Sequence, residues 1–187
     1  MGVIREEGGK MHMQQNQWDE AYNELNEAFR NFQQAGNNNK AKACLKYVAL
    51  SSMLGKTEIN PFDAREAKVF ERDTDVVAII NLRRHLQEND LNRFEKVLND
   101  PRNGILEEPV LMTYIQPLRR RMREQVLINL TRPYDKVSIS FLSEQLHITE
   151  VDVENMLLDM ILAHEISAQI DQINGCVLLD SSTSMAG

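Results

Sequence analysis

Cysteine is scarce in this chain: there are two, Cys44 and Cys176, far apart and with no CxxC spacing. That excludes a disulfide framework and a cysteine zinc site, and predicts buried thiols in a reducing compartment, cytoplasm or nucleus. Glycine is thin too. None of its eight residues forms GxGxxG, GxSxG or a P-loop, so the common phosphate cradles and the hydrolase nucleophile elbow are missing. His12, His85, His147 and His164 form neither HxH nor HExxH, so no metal-ligand spacing is present. Lacking any such constellation, the chain reads as a non-enzyme with no cofactor and no metal. No apolar run has the length of a membrane span. The opening Met1-Gly2-Val3-Ile4-Arg5 meets Glu6-Glu7, unlike a signal peptide, and Glu6 stands where myristoylation wants Ser or Thr. Positive charge is in deficit: 21 Lys and Arg against 28 Asp and Glu, net −7. A partner among nucleic acids or anionic membranes is therefore not expected.

What is present is helix periodicity and one ordered set of signals near the end. Lys136-Val137-Ser138-Ile139-Ser140 alternates polar and apolar. A short helix pattern, Phe141 to Leu146, follows, then a turn at His147-Ile148-Thr149 and a longer helix from Glu150 to about His164. Thr149 is placed to cap that helix. Val153, Met156, Leu157, Met160 and Ile161 share one face of it, and Val151, Leu158 and Leu162 widen the stripe, which predicts burial over much of its girth. Two strand-like runs close the stretch, Ile166 to Ile170 and Cys176 to Leu179, joined through the hairpin dipeptide Asn174-Gly175. Strand, helix, turn, helix and wing is the order of a winged helix, which usually reads DNA.

The charges oppose that use. From Pro133 onward the acids are Asp135, Glu144, Glu150, Asp152, Glu154, Asp159, Glu165, Asp171 and Asp180, against the single base Lys136. A helix with four acids and no base repels a phosphate backbone. The expected partner is protein, met along strand edges. The candidate edge residues are Val137, Ser138, Ile139 and Ser140 in the first strand, and Ile166, Ser167, Ala168, Gln169, Ile170, Cys176, Val177, Leu178 and Leu179 in the wing. Proline at Ala168 would remove a strand donor there. One basic cluster, Arg119, Arg120, Arg121 and Arg123 with Arg132 further on, reads either as a solvated helix flank or as a docking patch for an acidic partner. A nucleic-acid-binding winged helix using Arg119 to Arg132 is the alternative from a different class.

Upstream, the pattern is mainly α. A short helix over residues 3–14 is expected to break at Gly8-Gly9. Trp18 to Ala35 carries Trp18, Ala21, Tyr22, Leu25, Ala28, Phe29 and Phe32 on one face, with Trp18 as a core anchor. Gly36 to Asn39 is a turn, and Lys40 to Leu54 a second helix. The pair resembles a tetratricopeptide-like hairpin. A turn at Asn60-Pro61-Phe62-Asp63 leads to helices capped at Asp73, from Leu91 to Leu98, and from Pro109 to about Thr131, the last with a kink or restart at Pro117. The chain thus divides into a helical-repeat subdomain over 1–132, a winged-helix subdomain over 133–180 and a disordered tail over 181–187.

Stacked helical hairpins running into an acidic winged helix resemble the PCI domain, the scaffold module shared by the proteasome lid, the COP9 signalosome and translation initiation factor 3. Glu6 to His12, Ala43 to Tyr47, Ile59 to Lys68 and Ile170 to Asn174 narrow the likeness to the subunit 2 family of the COP9 signalosome. The proteasome lid PCI subunits are the nearest alternative. The resemblance implies a non-catalytic scaffold whose winged helix lines up edge to edge with those of other PCI subunits of the COP9 signalosome. It also implies indirect service to cullin-RING ligases, since that complex strips a ubiquitin-like protein from cullins with a metalloprotease site on another subunit. The cullin-gripping N-terminal arm and the C-terminal bundle helix of the family have no counterpart here, so the sequence looks like a fragment or a shortened relative.

Overall fold

A computed structural model describes residues 1–55 and 58–180; the tail expected over 181–187 lies outside the described residues. The chain divides into two compact units, the first Met1–Arg119 and the second from Arg120 onward.

The first unit is built from helices, several of them joined by very short turns. α1 (Gly2–Gln14), α2 (Trp18–Gln34) and α3 (Asn38–Leu54) come first, with α2 packed against both neighbours. After a 3-10 turn at Pro61–Asp63 and another at Lys68–Phe70 come α4 (Thr74–Gln87) and α5 (Leu91–Asn99). α6 (Pro109–Thr131) begins in this unit and continues into the second. The α1–α2, α2–α3 and α4–α5 turns share one geometry. Asn16, Gly36 and Asn89 each take a left-handed conformation, at φ 59, 76 and 53°. The next N–H then reaches back five residues, Gln17 to His12, Asn37 to Phe32 and Asp90 to His85, each at 2.9 Å. Glycine and asparagine tolerate that region best, which is why these residues stop the helices.

The core is the one the periodicity predicts: Ala21, Leu25, Ala28, Phe29 and Phe32 are all buried. Four expectations are corrected. α1 runs through Gly8-Gly9 without a break. Gly9 is there for close approach, because a Cβ on it would stand 2.5 Å from Leu25 Cγ. Trp18 is half-buried rather than a core anchor, and stands edge-on to Tyr114 with ring centroids 6.4 Å apart. α6 continues through Pro117 without a restart. α3 starts two residues earlier than expected because the Asn37 side chain accepts from Lys40 N–H at 3.3 Å.

The second unit holds β1 (Lys136–Ser138), α7 (Ile139–Leu146), α8 (Glu150–Leu162), β2 (Ala168–Asp171) and β3 (Cys176–Leu179). Ser138 ends β1 and starts α7: its hydroxyl accepts from Phe141 N–H at 2.9 Å. Ile139 and Ser140 are therefore helical, not strand. Thr149 caps α8 as expected, accepting from Asp152 N–H at 3.2 Å. Both helices end in the turn used upstream, here with His147 and His164 left-handed at φ 55 and 57°. The three strands form one antiparallel sheet in the order β1-β3-β2. Val137, Leu142, Leu146, Val153, Leu157, Met160 and Val177 make this unit's core. The architecture is mainly α, helical hairpins followed by a winged helix.

Candidate functional site

The strand order decides which backbone groups are open. β3 lies between β1 and β2 and is bonded on both sides, so Cys176, Val177, Leu178 and Leu179 form no edge, contrary to expectation. A hairpin dipeptide shows that two strands pair, not that a third, distant in sequence, closes the other side. The open edges are β1 and β2. Ile166 and Ser167 precede β2 rather than belonging to it. Ser167 is tied to Asp180 just beyond the strand end: its hydroxyl donates to the carboxylate at 2.6 Å and its carbonyl accepts from Asp180 N–H at 3.1 Å.

Register identifies the open donors. In an antiparallel pair, directly opposed residues alternate between exchanging hydrogen bonds and turning their groups away. The Ser167–Asp180 pair is bonded, and Ala168 faces Leu179 and Ile170 faces Val177. Ala168 and Ile170 therefore turn their N–H and C=O groups to the open side of β2. Bonds from Ile139 N–H to Gly175 C=O at 2.9 Å and from Leu179 N–H to Asp135 C=O at 2.8 Å frame β1. Lys136 and Ser138, facing Leu178 and Cys176, are the outward-turned residues there. Gln169 and Val137 point their backbone groups inward, to β3.

The wing turn is stiffened by its own polar groups. Asn174 donates to Asp171 from its backbone at 3.2 Å and from its side chain at 2.8 Å. That side-chain bond holds the Asp171 carboxyl below the usual range. Gly175 takes φ 63° as the sequence predicts, and Ile173 stands at the tip, 95% exposed.

α8 is not buried around its girth. Val153, Met156, Leu157 and Met160 face the core, while Val151, Leu158 and Leu162 are 66, 47 and 77% exposed. The stripe was too wide for one packing face, and one small sheet with one short helix covers only one side.

The arginine run is not a uniform basic face. Arg119 pairs with Glu95, and Arg120 reaches both Glu124 at 3.1 Å and Asp159 at 2.9 Å. The Glu124 hydrogen bond raises the Arg120 pKa above its ordinary value against an opposing effect of burial, and Asp159 adds to it. Arg121 and Arg123 are also engaged in interactions, and Arg132 is exposed. Among the described residues no group of His, Cys, Asp and Glu side chains gathers as metal ligands, and no helix is long and apolar enough to cross a membrane.

The profile of the PCI domain matches residues 81–181, which takes in the whole winged helix and the helices leading to it. The chain belongs to the PCI domain family. It is 44% identical over 186 residues to COP9 signalosome complex subunit 2 of Dictyostelium discoideum, covering 100% of this chain and 41% of that protein. The subunit 2 of Drosophila melanogaster is 41% identical, with 100% of this chain and 42% of that protein covered. A more distant PCI relative is the probable 26S proteasome regulatory subunit rpn6 of Schizosaccharomyces pombe, 25% identical over 95% of this chain and 43% of its own length. The chain thus spans about two fifths of the curated relatives it matches. The signalosome likeness carried by the four sequence segments extends over the whole PCI chain, and the fainter lid likeness over 95% of it.

Proposed function

We propose that this PCI chain is a non-catalytic scaffold piece of a COP9 signalosome. It docks neighbouring PCI subunits and so supports cullin deneddylation in cytoplasm and nucleus, with cullin-RING ligases served only indirectly. The observation that carries the reading is 44% identity to a signalosome subunit 2 along the full chain. The open strand edges supply a physical means, since outward N–H and C=O groups on β1 and β2 can each accept a strand from another chain. The acidic α8 favours protein over nucleic acid as the partner.

The test is co-expression with the other PCI subunits and recovery of the complex. Ala168→Pro removes an outward donor from β2 while leaving its bonds to β3 intact. The variant is expected to fold and to lose partner recovery. A variant that folds and still assembles would sink β2-edge docking. Recovery of proteasome lid subunits instead would move the assignment to the lid, the second reading that the rpn6 similarity favours.

A further inference from the structure

The outward face of α8 has the pattern of a coiled-coil seam. Val151, Asn155, Leu158 and Leu162 follow one another at steps of four, three and four, the d-a-d-a spacing of a heptad. All four are exposed. In the same frame Asp152 and Asp159 occupy e positions, and Glu154 and Ile161 occupy g positions. The buried residues Val153, Met156, Leu157 and Met160 fall at f, b, c and f, so the seam and the core lie on opposite sides of one helix. A polar Asn at a is the usual register device of a two-stranded seam. Both margins carry acid, Asp152 and Asp159 at e on one side and Glu154 at g on the other, and Arg120 reaches Asp159 at 2.9 Å.

We propose that α8 docks a basic amphipathic helix of a partner protein, with apolar residues at a and d and Lys or Arg at e and g. Two features select this occupant. An apolar stripe left in water next to a fully packed opposite face marks an interaction surface. Acids at e and g reject another copy of the same helix, because like charges would face each other across the seam, and accept a basic one. This surface is separate from the strand edges, so it stands or falls independently of the scaffold reading.

The experiment uses the whole chain and two fluorescent synthetic helices of about three heptads, long enough to hold helix on their own. Both carry Leu at a and d with one Asn at a. One has Lys at e and g, the other Glu. Fluorescence anisotropy should show binding of the Lys helix, weakening as salt rises, and far poorer binding of the Glu helix. Leu158→Glu should weaken the Lys helix about tenfold or more, as expected for an anchor at the centre of a seam. The pair Asp152→Lys and Glu154→Lys should reverse the preference between the two helices, while Ala168→Pro should bind as the parent does. Circular dichroism checks that each variant keeps its helix content. The proposal fails if neither helix binds, if the two bind alike, or if Leu158→Glu binds the Lys helix as the parent does. It fails equally if sedimentation shows a dimer that Leu158→Glu dissolves, which would assign the face to a second copy.

Discussion

Arg119 grips Glu95 with two hydrogen bonds, Nε to Oε1 at 2.6 Å and Nη2 to Oε2 at 2.7 Å. The fork joins α5 to the early part of α6, and both side chains are mostly shielded, 10% exposed for Glu95 and 21% for Arg119. Removing Arg119 leaves a mostly shielded Glu95 carboxylate without its opposite charge, with the neutral Asn99 amide donating to it at 3.3 Å. Arg119→Leu should therefore cost about 3 kcal/mol of stability, whereas Arg119→Leu with Glu95→Leu should cost far less. Urea denaturation of the singles and the double closes the cycle. Equal losses in the single and double variants would mean the pair matters through packing alone.

Two adjacent glycines in α1 should respond in opposite directions. At Gly8 an added Cβ meets nothing nearer than Glu24 Oε2 at 3.9 Å, so Gly8→Ala should stabilise by about 0.5–1 kcal/mol through helix propensity. At Gly9 it would stand 2.5 Å from Leu25 Cγ. Leu25 is fully buried and has nowhere to move, so Gly9→Ala should destabilise by about 1–3 kcal/mol. Thermal melts of the two variants give the signs directly.

Asp75 makes part of the stability pH-dependent. Burial alone would raise its carboxyl. The Lys46 ammonium at 2.8 Å outweighs that, with help from Lys42, and holds it below the ordinary 3.8. A carboxyl depressed in the folded state contributes stability that is present above its unfolded pKa and lost as pH falls through the folded one. Acid titration should thus show a loss setting in below about pH 4. Asp75→Asn should flatten that limb and lower the neutral-pH stability. An unchanged acid limb would exclude Asp75 as its source.

Cys44 should be chemically silent in the folded protein. It is fully buried, and desolvation, helped by Glu6, pushes its thiol up to about 12. At pH 8 almost no thiolate forms, and reagent must wait for unfolding. Labelling of a Cys176→Ala variant with a thiol reagent should follow the unfolding equilibrium as urea rises. Rapid labelling without urea would show that the α3 site opens locally.

Legibility followed range. The α2 stripe from Ala21 to Phe32, the Thr149 cap and the left-handed Gly175 each depend on residues within a turn or two. All were readable from spacing alone, as was the PCI likeness carried by contiguous segments. Ile139 and Ser140 were misread for a local reason as well. Alternation continued through Ser140, and the capping hydroxyl that converts the chain to helix competes with strand only once Phe141 N–H is in place.

By itself, then, the sequence determined the helices, their stops, the acidic character of the winged helix and the family. Those rest on backbone propensity, side-chain periodicity and charge, which are properties of short stretches. Tertiary structure alone decided that β3 is central, that the open donors are Ala168, Ile170, Lys136 and Ser138, and that Arg119 is spent on Glu95, 24 residues away. It also decided which half of the α8 stripe is packed and which is left in water. Each depends on what a distant segment covers, and a pattern of apolar residues records the tendency to be covered without recording by what.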